Sequence, residues 1–307
     1  MSVYKTLLNE EIEKCSSLKM LDKHELAALK KCMLDIYRIL ADFCEKHNLT
    51  IMLAGGSCLG AVRHKGYIPW DDDLDVMMPR YDYDKLIDYL EKGELSDKLE
   101  FTCPSKFHDS PNIWLKLYMK ETRFVELGQE NSLFPKGVKI DVFALDGTPT
   151  PGVKLKIKSF IANFLHIIAN TVGNPIRKFT PTEKEIFFAS PKLKNFVIFR
   201  LIFGAMFSFI SHQKWAWWFD KFVSNGDMKR YVGIPTGRKL YGGEVFPTDV
   251  YFPPQKGLFE GETVNLPANT DAYLKNLYRN YMQLPPEDKR EKHFVIEFSL
   301  PARYYLD

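Results

Sequence analysis

Ile68-Pro69-Trp70-Asp71-Asp72-Asp73-Leu74-Asp75-Val76-Met77-Met78 sets four carboxylates inside a short segment that otherwise reads as a buried strand. Strand residues alternate faces, so Asp73 and Asp75 point one way while Leu74, Val76 and Met78 point to the other, apolar side. Carboxylates held side by side repel one another and lose hydration, and a sheet accepts this when a cation offsets it. The segment therefore reads as built around a metal. Asp71 shares the parity of Asp73 and Asp75 but stands nearer the preceding turn, and Asp72 faces the other way. Both are expected to orient the ligands or to pair with Arg63 or Lys65.

Upstream, Leu26, Leu29, Met33, Ile36, Leu40 and Phe43 recur at helical spacing and predict a helix from Lys23 to Glu45, ending at His47-Asn48. A short strand, Thr50 to Ala54, leads into Gly55-Gly56-Ser57 and a short helix over Leu59 to His64. A strand, a glycine pair and a helix N-terminus in that order make a phosphate cradle, because the backbone approaches closely and free N–H groups point outward. Ser57 can cap the helix or bind phosphate; a Gly-Gly-Ser run by itself is equally a plain turn.

Downstream, Asp82 reads as the N-cap of a helix carrying Tyr83, Leu86, Ile87 and Leu90, which ends at Gly93. Strand-like runs follow at Phe101 to Cys103, Trp114 to Met119 and Lys139 to Ala144. Asp141 stands alone among the apolar residues of the last run, either capping the strand end or supplying a third ligand. Arg63, His64, Arg80 and Lys116 lie beside or shortly after the motif strands and could hold phosphate. Arg63 and His64 serve equally as cations at a helix C-terminus. Lys116 has an ordinary alternative on the exposed face of a strand.

The chain has 307 residues, enough for a full core, and its 45% hydrophobic and 26% charged residues are ordinary for a folded soluble protein. Five cysteines without a C-x-x-C pair or a signal peptide suit a reducing cytoplasm and argue against structural zinc or a disulfide frame. The net charge of +3 is uneven: Gly152 to Lys214 carries +8 and the remainder −5. This basic segment contains residues 195–212, apolar nearly all round but interrupted by Arg200. Its length and the arginine argue against a transmembrane helix. With Lys154, Lys156 and Lys158 before Phe160, and Trp215, Trp217 and Trp218 after, it reads as helices lying in a membrane interface. The alternative is a buried helical hairpin covering the sheet.

Glycine-serine turn, Asp-x-Asp strand and a third aspartate on a later strand together resemble the nucleotidyltransferase superfamily of the polymerase-β type. The run Leu53-Ala54-Gly55-Gly56-Ser57, through Arg63-His64-Lys65-Gly66-Tyr67-Ile68-Pro69-Trp70, to Asp71-Asp72-Asp73-Leu74-Asp75-Val76, looks like the signature of the LicD/fukutin family. Arg80-Tyr81-Asp82-Tyr83, Ile140-Asp141-Val142-Phe143, Leu145-Asp146-Gly147, the run Tyr278 to Pro286, and His293 extend the resemblance to most of the chain outside the basic middle. The resemblance implies an α+β protein with a polymerase-β-type nucleotidyltransferase fold and a mixed β-sheet flanked by helices, and the composition of the basic middle adds a helical, membrane-associating insertion. Its parts would be a catalytic core over 1–151, the insertion over 152–222 and a closing part over 223–307.

Members of that family transfer a phosphate-linked group such as phosphocholine from a cytidine-diphosphate donor to a glycan. The resemblance thus implies a CDP-choline-dependent phosphotransferase acting on a surface or lipid-linked glycan precursor, teichoic acid or lipopolysaccharide, and the basic apolar segment places it peripherally at the inner face of the membrane. Asp73, Asp75 and Asp141 would hold Mg2+ or Mn2+, with one of them, Asp141 first, accepting the proton of the attacking hydroxyl. Gly55, Gly56, Ser57, Arg63, His64, Arg80 and Lys116 would bind nucleotide and phosphate. Breaking a diphosphate requires neutralising charge, and hard divalent cations with oxygen ligands do so.

Choline is a quaternary ammonium held by aromatic faces, and Trp70, Tyr67, Trp215, Trp217 and Trp218 are candidates in a chain with 14% aromatics. Glu244 could touch metal or acceptor, or make a loop salt bridge. Nucleotidyl transfer to a sugar phosphate is the competing activity, and a membrane-attached scaffold with a vestigial site is the non-catalytic one. Nucleic acid is disfavoured, because the basic charge sits in an apolar segment and not along a groove.

Overall fold

The computed structural model describes residues 8, 11, 12, 15, 18–104, 112–131, 135–172, 178–286, 290 and 294–306; His293 lies outside them. In chain order the first half contains β1 (Lys19–Met20), α1 (Lys23–Lys46), β2 (Met52–Leu53), α2 (Gly55–Arg63), β3 (Asp75–Pro79), α3 (Arg80–Glu91), β4 (Leu99–Thr102), β5 (Leu115–Met119), β6 (Arg123–Glu126) and β7 (Lys139–Gly147). The second half contains α4 (Val153–Thr171), α5 (Pro181–Phe187), α6 (Pro191–Met206), α7 (His212–Val223), β8 (Tyr231–Gly233), β9 (Phe246–Pro247), β10 (Gln255–Phe259), β11 (Glu262–Leu266), α8 (Thr270–Tyr278) and β12 (Phe294–Ser299).

The main sheet has the order β2-β3-β7-β5-β4, with β3 and β7 parallel and the other neighbours antiparallel. The last residues of β7 pair with β8, Asp146 opposite Gly233 and Gly147 opposite Val232, and β8 continues to β9. A three-stranded sheet, β1-β12-β6, and the hairpin β10-β11 complete the strands. The chain is therefore a mixed α+β protein in which helices flank a mixed sheet.

The first helix follows its periodicity. Asp22 and Glu25 form a capping box at its start, and Leu29, Met33, Ile36, Leu40 and Phe43 turn one face into the core. That face, with β2, β3, β5, β7, α3 and α8, encloses one continuous apolar cluster. Burial of such side chains contributes roughly 1.5–3 kcal/mol each before conformational entropy is subtracted.

Three local readings change. β2 holds only two residues, because the Thr50 amide donates to Asp82 Oδ2 at 2.8 Å and a helix begins directly after Ala54. Asp82 is thus not an N-cap: α3 starts at Arg80 behind Pro79, and the buried Asp82 carboxylate is committed to Thr50. The acidic strand starts late, at Asp75, since the Asp71 amide closes a turn onto the Ile68 carbonyl at 3.0 Å.

The apolar stretch 195–212 is not one helix. It is divided between α6 and α7 by a turn, and no helix among the described residues is long and apolar enough to cross a membrane. Helices α4, α6 and α7 bury Leu155, Ala162, Ile168, Val197, Trp215 and Phe219, most of them in a second apolar cluster that also takes in Ile113 and Tyr241. All five cysteines are buried and none forms a disulfide.

Candidate active site

Strand pairing brings three of the expected residues into one row. Asp75 on β3 lies opposite Asp141 on β7, and Asp141 lies opposite Lys116 on β5, so their side chains emerge on one face of the sheet. Lys116 Nζ sits 2.6 Å and 2.9 Å from the two carboxylate oxygens of Asp141 and 4.8 Å from the Trp114 ring centre. Burial, with the Asp73 and Asp141 carboxylates beside it, holds Asp75 well above the usual carboxylate range. The row carries more negative charge than Lys116 balances.

The glycine pair packs directly on these acids. Gly55 has φ +47°, and a Cβ there would come 2.9 Å from Asp75 Oδ2; a Cβ at Gly56 would come 3.1 Å from Asp71 Oδ2. Only glycine meets both demands at Gly55, a left-handed backbone and the close approach. The Gly55 amide donates to the Tyr273 hydroxyl at 3.0 Å. Ser57 neither caps the helix nor faces the cleft. Its buried hydroxyl accepts the Asp75 amide at 2.9 Å, which ties the start of α2 to the start of β3.

Gly55, Gly56, Arg63, Asp73 and Asp75 line one cleft of about 630 Å3, a volume suited to a small-molecule ligand. Asp71 is on its wall and Asp72 is not, so the i, i+2, i+4 parity holds although residues 71–74 are outside the ladder. The loop carrying these acids is fixed from outside, where Lys30 of α1 donates to the carbonyls of Ile68 at 3.1 Å and Pro69 at 2.9 Å.

The remaining expected residues do not line the cleft. His64 Nε2 accepts from Arg63 Nε at 2.9 Å while Arg63 Nη1 reaches the Tyr281 carbonyl at 2.7 Å. Burial and then the Arg63 charge lower the His64 pKa, so His64 acts as a neutral acceptor that aims Arg63. Arg80 is buried and makes a two-pronged pair with Asp146 at 2.6 Å and 2.8 Å, with Asp220 of α7 at 2.9 Å on its third nitrogen. Burial opposes the charge, and Asp146 and Asp220 overcome it, holding the guanidinium above its ordinary value. Arg80 is thus a buried tie between the sheet and α7, not a phosphate ligand on the cleft wall.

Other cleft residues carry no strong sequence signal. Arg238 lies 5.2 Å from the Tyr278 ring centre and Arg290 lies 4.3 Å from that of Trp70; both arginines, with Arg279, line the wall. Glu244, also on the wall, is almost wholly buried and accepts the Lys239 amide at 2.9 Å; burial lifts its carboxyl to about 7 against the pull of that bond and of Lys239. Of the aromatics considered for choline, Trp70 alone lines the cleft. Tyr67 packs on Phe259, and Trp215 and Trp218 pack on each other within α7.

Among the described residues, no group of three His, Cys, Asp or Glu side chains is arranged to hold a metal ion by itself. Asp141 has both of its carboxylate oxygens turned to Lys116. The carboxylates of the cleft are hard oxygen donors with excess negative charge, which fits a divalent cation that takes its other ligands from substrate and water.

Comparison with known proteins agrees with these residues. Residues 48–143, which hold α2, β3, β5 and the row from Asp75 to Lys116, match the LicD/FKTN/FKRP nucleotidyltransferase domain. The chain is 25% identical over 282 residues to the lipopolysaccharide cholinephosphotransferase LicD of Haemophilus influenzae, covering 86% of this chain and 93% of that protein. An uncharacterised protein of Rickettsia prowazekii is 39% identical over 75 residues, 24% of each chain. Another, of Rickettsia typhi, is 44% identical over 50 residues, 15% of this chain and 16% of that one. Residues 48–143, with the Gly55–Asp75 signature inside them, are thus similar to the LicD/FKTN/FKRP nucleotidyltransferase domain, and the similarity to the H. influenzae protein runs along most of the chain.

Proposed function

We propose that the chain is a metal-dependent phosphotransferase that moves phosphocholine, or a related phospho-alcohol, from a cytidine-diphosphate donor to a cell-surface glycan precursor. The observation that carries this reading is the cleft itself, in which Asp71, Asp73 and Asp75 share one wall system with Arg63, Arg238, Arg279 and Arg290. A diphosphate needs both: cationic side chains for its oxygens and carboxylates for the counter-ion. The H. influenzae relative is named for transfer of cholinephosphate onto lipopolysaccharide, which supports a choline-bearing donor and a glycan acceptor. A lipid-linked acceptor such as a lipopolysaccharide or teichoic acid precursor would bring the reaction to the inner face of the membrane.

In this reading the acceptor hydroxyl attacks the choline-bearing phosphorus. A new O–P bond forms, the bond to the bridging oxygen breaks, and cytidine monophosphate leaves with the electron pair. Arg63, held by His64 and the Tyr281 carbonyl, binds the diphosphate with Arg238 and Arg290. Asp73 and Asp75 would hold Mg2+ or Mn2+, with Asp141 behind Asp75; when bound, the ion supplies charge neutralisation on the phosphates. Because Lys116 occupies Asp141, the proton of the attacking hydroxyl goes to Glu244, whose value near 7 suits a base at neutral pH.

The test is purified chain with Mg2+ and a panel of cytidine-diphosphate alcohols, with and without glycan acceptor and chelator, reading cytidine monophosphate release. Chelator-sensitive release with CDP-choline is the expected result. Pyrophosphate from a nucleoside triphosphate and a sugar phosphate would instead establish nucleotidyl transfer, the activity that the domain's family description names.

A further inference from the structure

The helices between β7 and β8 bury one side and leave the other bare. Along α4, Val153, Ile157, Phe160, Phe164 and Ile167 recur at steps of three and four residues and are 42–75% exposed. On α6, Phe199, Ile202 and Met206 repeat the pattern at 59–65% exposure. Ring contacts join the two stripes: Phe164 meets Phe203 edge-on at 6.4 Å, and Phe203 stacks on Phe199 at 6.2 Å. The result is one surface of eight bulky apolar side chains, and a contiguous exposed apolar patch rimmed by polar residues marks an interaction site.

The charge around this surface says what covers it. Helical geometry sets exposed Lys154 and Lys156 on either flank of the α4 stripe, and exposed Lys192 at the head of the α6 stripe. Gly152 to Lys214 holds two acidic residues, and one of them, Glu183, is buried in the capping box of α5. An apolar centre with a lysine rim and almost no exposed carboxylate complements an anionic bilayer surface. A protein partner of ordinary composition would find few acidic residues here to meet. Since no helix among the described residues is long and apolar enough to cross a membrane, a face that meets the bilayer would lie on it.

We infer that the common face of α4 and α6 docks in the interface of a bilayer containing anionic phospholipid, its phenylalanines at the acyl boundary and its lysines at the head groups. The inference is independent of the reaction class, since it uses none of the cleft residues.

Flotation of the full chain with extruded vesicles tests it, comparing phosphatidylcholine alone with phosphatidylcholine containing about a third phosphatidylglycerol, at low and high salt. Binding at least tenfold tighter to the anionic vesicles, weakened by salt and by Lys154→Glu with Lys156→Glu, is expected. Phe160→Asp with Phe199→Asp, both exposed positions, should abolish flotation while leaving the melting temperature unchanged. Three results overturn the inference: no flotation with either vesicle, undiminished flotation of the Phe160/Phe199 variant, or a dimer in light scattering that this variant converts to monomer. The last would make a second copy of the chain the occupant.

Discussion

Replacing Arg80 with methionine keeps the apolar stem and removes the guanidinium from between Asp146 and Asp220. Asp146 is fully buried and Asp220 nearly so, so the variant strands two carboxylates beside each other in a low-dielectric site. Removing one partner of a buried ion pair is destabilising by about 3–5 kcal/mol. That corresponds to a fall in melting temperature on the order of 10 °C. Burial already holds Asp220 above its ordinary value against Arg80, and without Arg80 the acid rises further. An acid whose folded pKa exceeds its unfolded value binds more protons in the native state, so the variant's stability falls as pH rises and recovers as pH drops toward 4. Urea titrations followed by circular dichroism at pH 7.5 and pH 5 read both effects, with Asp84→Ala, at an exposed partner, as the control within about 0.5 kcal/mol. An Arg80→Met chain as stable as the parent but defective in donor binding would refute the reasoning and return Arg80 to the phosphates.

Asp75→Asn should lower turnover at least ~100-fold while raising the melting temperature in metal-free buffer, because it removes a buried charge that Asp73 and Asp141 already disfavour; a less stable variant would contradict this. Ser57→Ala should lose about 1–3 kcal/mol, the penalty for an Asp75 amide left without an acceptor, and turnover with it. Denaturation and cytidine monophosphate release on the same preparation check both. Glu244 has a folded value of about 7 against an ordinary 4.5, so the parent loses stability between those pH values. Glu244→Gln should flatten that dependence, gain about 1–3 kcal/mol at pH 8 and lose the limb of the rate profile near pH 7; parallel stability curves would rule this out.

Local patterns were legible wherever one element decides its own geometry. The periodicity of α1 placed Leu29, Met33, Ile36 and Leu40 in the core, and alternation separated Asp71, Asp73 and Asp75 from Asp72 even though most of that segment lies outside the ladder. The pairing of Asp75 with Asp141 followed from the resemblance and from the scarcity of reasons for a lone aspartate in an apolar strand. What could not be read depends on partners far along the chain. Arg80 meets Asp220 across 140 residues, Ser57 meets the Asp75 amide across a loop, and Asp82 leaves the cap position for Thr50. A lone cation or hydroxyl in a sequence does not announce whether a ligand or a buried carboxylate will claim it. Arg238 and Arg290 belong to segments without periodicity, so only the folded cleft gathers them, while Glu244, a candidate in the sequence, takes its place on the wall there.

The polypeptide leaves β7 at Gly147 and rejoins it through Val232, its direct partner in the ladder. The helices described between these two points thus form an excursion whose two ends stand side by side. The register of Asp75 against Asp141 lies at the other end of β7 and does not depend on what the excursion contains. A chain of this architecture can therefore exchange one helical segment for another at this point while the row of Asp75 and Asp141 stays in place. Such a graft inherits two demands: Arg80 draws a buried carboxylate from α7, and Ile113 and Tyr241 pack into the apolar cluster of α4 and α7, so any replacement must meet both.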